Sequence, residues 1–355
     1  MVKSNYKVIG VMSGTSLDGI DLVYVEFEVD KVWTFTIQSS NTFPYPDEWK
    51  AKLKNLVLLS PEKLKALDIE YTDYLASVIV DFIKKHNITK LDAICSHGHT
   101  ALHQPSIGLT YQIGNLSLLS TLTKHTVVCD FRVQDVALGG QGAPLVPVGD
   151  RLLFSAYDFC LNLGGFANIS MEAHNHRTAF DICPVNIVLN RYAEILGQPF
   201  DGGGVFARSG TLNVKLLNSL NNIEFYKQPP PKSLGAEWVN STLLPLLTPS
   251  GQDPKTLLRT FTEHIAIQIA NVLNTSEGNK KVLVTGGGAY NTFLLERLAL
   301  FSKHSLVIPS KELIEYKEAL IFALLGVLKL RNETNCLKSV TGASKNHSSG
   351  VIFTP

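Results

Sequence analysis

The stretch Val8-Ile9-Gly10-Val11-Met12-Ser13-Gly14-Thr15-Ser16-Leu17-Asp18-Gly19-Ile20-Asp21, continued by Leu22-Val23-Tyr24-Val25-Glu26-Phe27, decides the expected fold. Tyr6 to Met12 is mostly apolar and reads as a buried strand, while the residues after Gly19 alternate as a second strand does. Between them lies a polar turn in which Gly14 and Gly19 permit tight backbone geometry and close approach of a ligand. Thr15, Ser16, Asp18 and Asp21 place hydroxyls and carboxylates at the same bend. Backbone N–H groups and hydroxyls suit phosphate oxygens, and a carboxylate, Asp18 first, suits a magnesium ion or its waters. The GxxxxGK[ST] pattern is absent, which excludes a P-loop. An ordinary polar hairpin turn is the competing reading.

The chain has 355 residues, 45% of them hydrophobic, and a formal net charge of +1, so it carries core material for two domains of ordinary size. No basic excess points to nucleic acid. Val2 to Val11 is too short and interrupted for a signal peptide, and no apolar run approaches the ~20 residues of a membrane span. The expectation is a cytoplasmic protein. Its cysteines, Cys95, Cys129, Cys160, Cys183 and Cys336, are odd in number and form no CxxC pair, a pattern of reduced thiols rather than a disulfide framework or zinc site.

Downstream, Val32 to Ser39 reads as a third strand, Tyr45 to Leu59 and Pro61 to Asn87 as helices, and Leu91 to Ser96 as a strand running into a polar turn, Ser96-His97-Gly98-His99-Thr100. Strand ends of this kind are where open α/β sheets hold ligands. Gly139-Gly140-Gln141-Gly142-Ala143-Pro144 is the expected hinge. Phe159 to Ser170 then repeats the opening grammar of strand, glycine turn and strand, weak evidence for a duplicated fold. Further on come a strand at Thr178 to Asp181, helices at Ile187 to Leu196 and Leu257 to Leu273, a strand at Lys281 to Thr285, and a helix at Lys317 to Arg331. The tail after Thr334 reads as loop.

Four glycine-rich or polar turns follow strands: Gly14 to Asp21, Gly164-Gly165 to Asn168, Asp201 to Gly204 with Gly203 central, and Gly286-Gly287-Gly288. Singly each is a structural tight turn as readily as a site; jointly they point to a nucleotide clasped between two lobes. The first two would donate N–H groups to phosphates, and the last would lie flat against adenine and ribose. Asp181 is the candidate catalytic base, with helix N-capping as its alternative. Asp130 and Arg132 form either a structural salt bridge or a contact to polar substrate groups. His97 and His99, with Thr100 and Gln112, read as lining of a sugar-sized pocket or as satisfied histidines. Cys183 reads as an inert small side chain.

On the residues Ile9 to Asp21, Ser96 to Thr100 with His103 and Pro105, Gln112 to Gly114, Asp130 to Arg132, Ala137 to Pro147, Leu161 to Ile169, Phe180-Asp181, Leu283 to Gly288 with Asn291, and Val340 to Ser344, the sequence resembles the anhydro-N-acetylmuramic acid kinases. These are members of the actin-like and hexokinase-like ATPase superfamily, and the likeness spans nearly the whole chain. It implies hydrolytic opening of 1,6-anhydro-N-acetylmuramic acid and phosphorylation of the freed 6-oxygen from ATP and Mg2+, giving N-acetylmuramic acid 6-phosphate in cell-wall recycling. It further implies that Gly14, Thr15, Ser16, Leu17, Asp18, Gly19, Ile20 and Asp21 bind ATP phosphates, that Asp181 activates the water, and that Gly286 to Gly288 sit at the nucleotide. The chain departs from that pattern at Ile182, Cys183, Val185 and Asn190 beside the base, and at Asn115 after Gly114. Two alternatives are another sugar kinase of this architecture and a catalytically weak sugar-binding relative.

The expected fold is therefore α/β, with two actin-like (ribonuclease-H-like) lobes, each a mixed five-stranded sheet flanked by helices around an interlobe cleft. Residues 1–135 would form one lobe, with the tail 335–355 packing back on it, and residues 136–334 the other. The partners are a small-molecule sugar and ATP, with a homodimer compatible and neither nucleic acid nor membrane expected.

Overall fold

The computed structural model describes residues 3–14, 17–173, 176–248 and 251–355. Two compact units divide the chain, one of Met1–Leu153 with Tyr316–Pro355 and the other of Phe154–Glu315. The first boundary thus falls at 153/154 rather than 135/136. The helix Val146–Leu153 stays with the first unit, where Asp150 pairs with Lys317 at 2.7 Å and a side chain on Gly149 would collide with Ile321.

The first unit is built on β1 (Asn5–Ser13), β2 (Gly19–Val29), β3 (Trp33–Pro44), β4 (Ala93–Gln104), β5 (Leu109–Ile113) and β6 (Val127–Cys129). The second unit contributes β7 (Phe159–Leu163), β8 (Phe166–Ala173), β9 (His176–Pro184), β10 (Lys281–Thr285) and β11 (Ser305–Val307), and β12 (Val351–Phe353) returns to the first. The first sheet runs β12-β6-β4-β1-β2-β3 with β5 on β4, and the second runs β11-β10-β7-β8-β9. In both, an antiparallel meander joins a central strand that pairs parallel with a later one, as β1 does with β4 and β7 with β10. The repeated topology is the duplication suggested by the two hairpins. The first sheet has seven strands instead of five, because β4 runs on past its kink to pair with β5 and the tail, expected to be loop, adds β12 to β6.

Sequence periodicity accounts for the layers. β1 is flanked on both sides and is buried along most of its length, whereas β3 at the sheet edge alternates in exposure. The helix Pro61–Lys85 starts at Ser60, whose hydroxyl accepts from the Lys63 N–H, and buries Leu64, Leu67, Tyr71, Leu75, Ile79 and Phe82 along one stripe. In the second unit Asp253 caps the helix Pro254–Leu273, which buries Leu258, Phe261, Ile265, Ile269 and Leu273. No described helix is long and apolar enough to cross a membrane. All five cysteines are free and buried.

The helix Lys311–Leu330 packs its backbone onto the first sheet. A Cβ on Gly10 of β1 would lie 2.0 Å from the Ala319 carbonyl oxygen, and one on Gly326 would lie 2.2 Å from Cys95 Sγ on β4. Gly10→Ala therefore forces helix and strand apart and is expected to cost about 2 kcal/mol or more, as overpacking does. Urea denaturation of the variant checks this, and an unchanged midpoint would show that the contact is not constrained.

Candidate active site

In the first unit, the turn between β1 and β2 presents Gly14, Leu17 and Asp18; Thr15 and Ser16 lie outside the described residues. Leu17 adopts positive φ and donates its N–H to the Gly14 carbonyl at 3.4 Å. Asp18 is exposed, and its carbonyl accepts from Tyr45 N–H at 3.4 Å. Two of the expected phosphate residues have structural duties: Gly19 lets the Phe43 carbonyl approach to 2.5 Å of its absent Cβ, and the Ile20 side chain is fully buried in the core. Asp21 accepts from Thr42 Oγ1 at 2.6 Å.

Beneath this turn runs a buried hydrogen-bonded row absent from the sequence reading. His99 Nδ1 lies 2.7 Å from Ser13 Oγ, Ser13 Oγ 2.6 Å from Tyr45 Oη, and Tyr45 Oη 2.6 Å from Tyr71 Oη. Burial drives these groups toward their neutral forms, lowering His99 to about 4 and raising Tyr71 to about 12.

Ser96 to Thr100 is not a terminal turn but the middle of β4, which bends at Gly98 with φ +73° before pairing with β5. His97 is buried and accepts at Nε2 from Arg132 Nε at 2.8 Å, so its proton sits on Nδ1 and donates to the Gly98 carbonyl at 2.9 Å. Burial, then the neighbouring Arg132 cation, hold the ring well below its usual pKa. Both histidines are thus committed to protein partners. Arg132 itself also donates to the Gly142 carbonyl at 2.5 Å, and burial lowers it to about 10. Among the described residues Asp130 and Arg132 form no ion pair. Asp130 instead follows β6 in a positive-φ conformation, with a carboxyl whose pKa burial raises. Thr100 faces Gln112 across β4 and β5, and the Gln112 Oε1 and Asn115 Oδ1 atoms are buried without a hydrogen-bond partner among the described residues. Such orphaned acceptors are sites where a substrate hydroxyl would be recognised.

Gly139 to Pro144 is not a hinge between the units. Asp135, fully buried, accepts from Gly142 N–H at 2.7 Å, and Gln141 N–H donates to Thr341 O at 2.8 Å. Sequence reasoning also missed Glu318. Its carboxylate lies in the electrostatic field of Arg132, Lys317 and Asp21. The signal was there in Lys317-Glu318 at the head of an otherwise apolar run.

In the second unit Asp181 lies inside β9, which continues to Pro184 rather than ending at the acid. Its N–H donates to Lys232 O at 3.0 Å, and its Oδ2 accepts from Leu234 N–H at 2.9 Å and Ser233 Oγ at 3.2 Å. Burial raises its pKa, offset by those two donors. It does not cap a helix, since Val185 holds the N-cap position of Asn186–Ile195. Asn162, Asn168 and Asp181 stand opposite one another across β7, β8 and β9, and a register break beside Asn168 leaves Ile182 as the extra residue of β9. Bulges of this kind re-aim a neighbouring side chain. Ile182, Cys183 and Val185 are all buried in the unit's core, so these departures alter packing beside Asp181. Loop residues Lys232, Ser233 and Leu234 carried no signal, being some fifty positions downstream.

The glycine turns divide likewise. A Cβ on Gly165 would meet nothing nearer than Ile187 at 3.9 Å, and one on Gly287 nothing nearer than Asn186 at 3.7 Å, so both open faces can receive a ligand. Gly164 is open apart from Asn162 Nδ2 at 3.3 Å. Gly286, with φ +81°, and Gly288 are required by contact with Leu163, and Gly203 takes positive φ while its carbonyl accepts from Thr292 Oγ1 at 2.9 Å. Asp201 spends both carboxylate oxygens on Phe206 and Ala207 N–H groups.

The His99 row predicts a pH effect on stability. A histidine lowered to about 4 stays neutral in the fold while the unfolded chain takes up a proton near 6.5, so its contribution is present above 6.5 and lost as pH falls toward 4. Relative to His99→Gln, the wild-type protein should lose about 2 kcal/mol between pH 6.5 and 5. Urea midpoints of both proteins at the two pH values measure it, and parallel behaviour would refute it.

Comparison with known proteins gives concordant results. A family model described as anhydro-N-acetylmuramic acid kinase matches residues 6–355. The anhydro-N-acetylmuramic acid kinase of Mannheimia succiniciproducens is 35% identical over 378 residues, covering 99% of this chain and 100% of that protein. The one from Vibrio cholerae is 35% identical over 367 residues, covering 98% of each. Among solved structures, component A of the (R)-2-hydroxyglutaryl-CoA dehydratase of Acidaminococcus fermentans has a TM-score of 0.50 at 13% identity, covering 92% of this chain and 99% of that one, and so shares the fold.

Proposed function

The chain belongs to the anhydro-N-acetylmuramic acid kinase family, and from that premise we propose that Asp181 is the base of a sugar kinase acting in cell-wall recycling. The reaction opens 1,6-anhydro-N-acetylmuramic acid with water and transfers the γ-phosphoryl group of ATP to the freed 6-oxygen, giving N-acetylmuramic acid 6-phosphate. The enzyme works in the cytoplasm on small molecules alone.

The observation that carries the assignment is the setting of Asp181. Both side-chain hydrogen bonds fall on Oδ2, which fixes the carboxylate and leaves Oδ1 to accept a proton from water. Burial raises the pKa and so strengthens the acceptor. Water attack on the anomeric carbon releases the strain of the bicyclic sugar, and the departing 6-oxygen is then the nucleophile toward phosphorus. Asn168, beside Asp181 in the adjacent strand, would orient a sugar or phosphate oxygen. In the first unit Asp130, Gln112 and Thr100 would recognise sugar hydroxyls, with Arg132 and His97 setting the local charge.

The residues present fit ATP and Mg2+. Gly165 and Gly287 offer open backbone, with Gly164 beside them, and Asp18 of the first hairpin offers an exposed carboxylate. A hard carboxylate oxygen suits Mg2+, which would neutralise charge on the transferring phosphoryl group.

Asp181→Asn should keep nucleotide affinity and lower turnover about 10²-fold or more. Near-normal turnover would overturn the assignment. ATP consumption should be seen with the anhydro sugar and not with plain N-acetylmuramic acid or glucosamine derivatives; consumption with all of them would instead indicate direct phosphorylation of an ordinary hydroxyl. Gly165→Ala should leave stability within about 0.5 kcal/mol, because its Cβ meets no neighbour, while weakening nucleotide binding. Calorimetric titration with a non-hydrolysable ATP analogue checks the second half, and unchanged affinity would remove Gly165 from the site.

A further inference from the structure

Asp135, Cys336 and His347 converge in the interior of the first unit, and nothing in the kinase reaction calls on them. Their donor atoms all lie within 4.8 Å of one another, and all three residues are buried. Asp135 Oδ2 is taken by Gly142 N–H, but Oδ1 faces Cys336 Sγ at 2.9 Å, Thr341 Oγ1 at 2.8 Å and His347 Nε2 at 3.6 Å. The His347 ring is 6% exposed, and its Nδ1 lies 3.1 Å from the Lys345 carbonyl oxygen. A carbonyl only accepts, so Nδ1 carries the proton and Nε2 the lone pair. That Nε2 is buried and has no hydrogen-bond partner among the described residues. The carboxylate oxygen accepts from the Cys336 thiol and the Thr341 hydroxyl, while the imidazole lone pair beside it meets no donor among the described residues. A metal ion that displaced the thiol proton would be met by this lone pair, the sulfur and the carboxylate oxygen together.

We propose that Asp135, Cys336 and His347 bind a divalent metal of borderline softness, zinc in the first instance, with Thr341 Oγ1 or a water as fourth ligand. Donor chemistry selects the metal: one thiolate, one imidazole and one carboxylate suit Zn2+ or Co2+, whereas Mg2+ and Ca2+ require oxygen ligands. Charge balance supports it, because a dication against a thiolate and a carboxylate gives a neutral buried centre. The Nδ1–H donated to a backbone carbonyl is the usual outer bond of a metal-bound histidine, fixing tautomer and ring orientation. On binding, the Cys336 thiol releases its proton to solvent and sulfur forms the bond to the metal. Two ligands lie in the C-terminal segment, where Cys336 and His347 already form an isolated bridge, and the third lies in the helix Val133–Ala137. The ion would staple the segment to the unit.

The test is titration of Co2+ into the chelator-treated full-length protein. One equivalent should bind with a thiolate-to-cobalt charge-transfer band in the near ultraviolet, and Zn2+ should displace it. Cys336→Ser should abolish the band, and His347→Gln should weaken Zn2+ binding at least about tenfold. Zn2+ should also raise the thermal midpoint of the wild-type protein in a concentration-dependent way. Failure of the wild-type protein to bind either ion stoichiometrically, or a band that survives in folded Cys336→Ser, would overturn the proposal. Because the wild-type titration stands alone, a variant that does not fold leaves the test intact.

Discussion

The charged groups Lys317, Glu318, Asp150 and Arg132 of the first unit are arranged around one steric constraint, the seating of the helix Lys311–Leu330 on β1. The helix comes close enough that no atom larger than hydrogen fits on Gly10. That approach fixes Lys317 against Asp150 and brings Glu318 under the influence of Arg132 and Asp21. Arg132 in turn sets the proton position on His97 and holds the Gly142 carbonyl. A close-packed interior transmits such constraints because it has few voids to absorb displacement.

The two units share a strand order but use it differently. In the first, the opening hairpin stands over a buried row of hydroxyl and imidazole groups; in the second, the corresponding hairpin stands beside the row Asn162, Asn168 and Asp181. Glycine content at the turns is alike, yet its physical reasons differ from position to position. Gly286 and Gly288 exist to let the chain touch Leu163, whereas Gly165 and Gly287 leave surface bare. Only the second kind speaks for a ligand.

Strand and helix periodicity made most of this architecture legible, since β1, β7 and β10 are buried runs and the two long capped helices carry regular apolar stripes. Asp181 was singled out through its position after Phe180, but its place inside β9 and its bonds to Ser233 and Leu234 were not readable. What could not be read was whatever depends on distant pairing. β12 is three residues whose only reason to be a strand is the waiting edge of β6, and the β5 extension depends on Gly98 bending β4. The Gly139 to Pro144 segment has the composition of a hinge, but Asp135 and Thr341 pin it from either side in sequence. Cys336 read only as one of five scattered reduced thiols until the fold set it against a carboxylate.

The discontinuity of the first unit has a consequence for biosynthesis. Residues 154–315 emerge from the ribosome as an uninterrupted block and can complete their sheet during translation. The earlier block cannot: β1 lacks its covering helix and β6 its outer neighbour until residues 316–355 have been made. The nascent N-terminal half therefore exposes an apolar sheet face and an unpaired edge for the whole time its sibling is being synthesised, the interval in which a chaperone would be of most use.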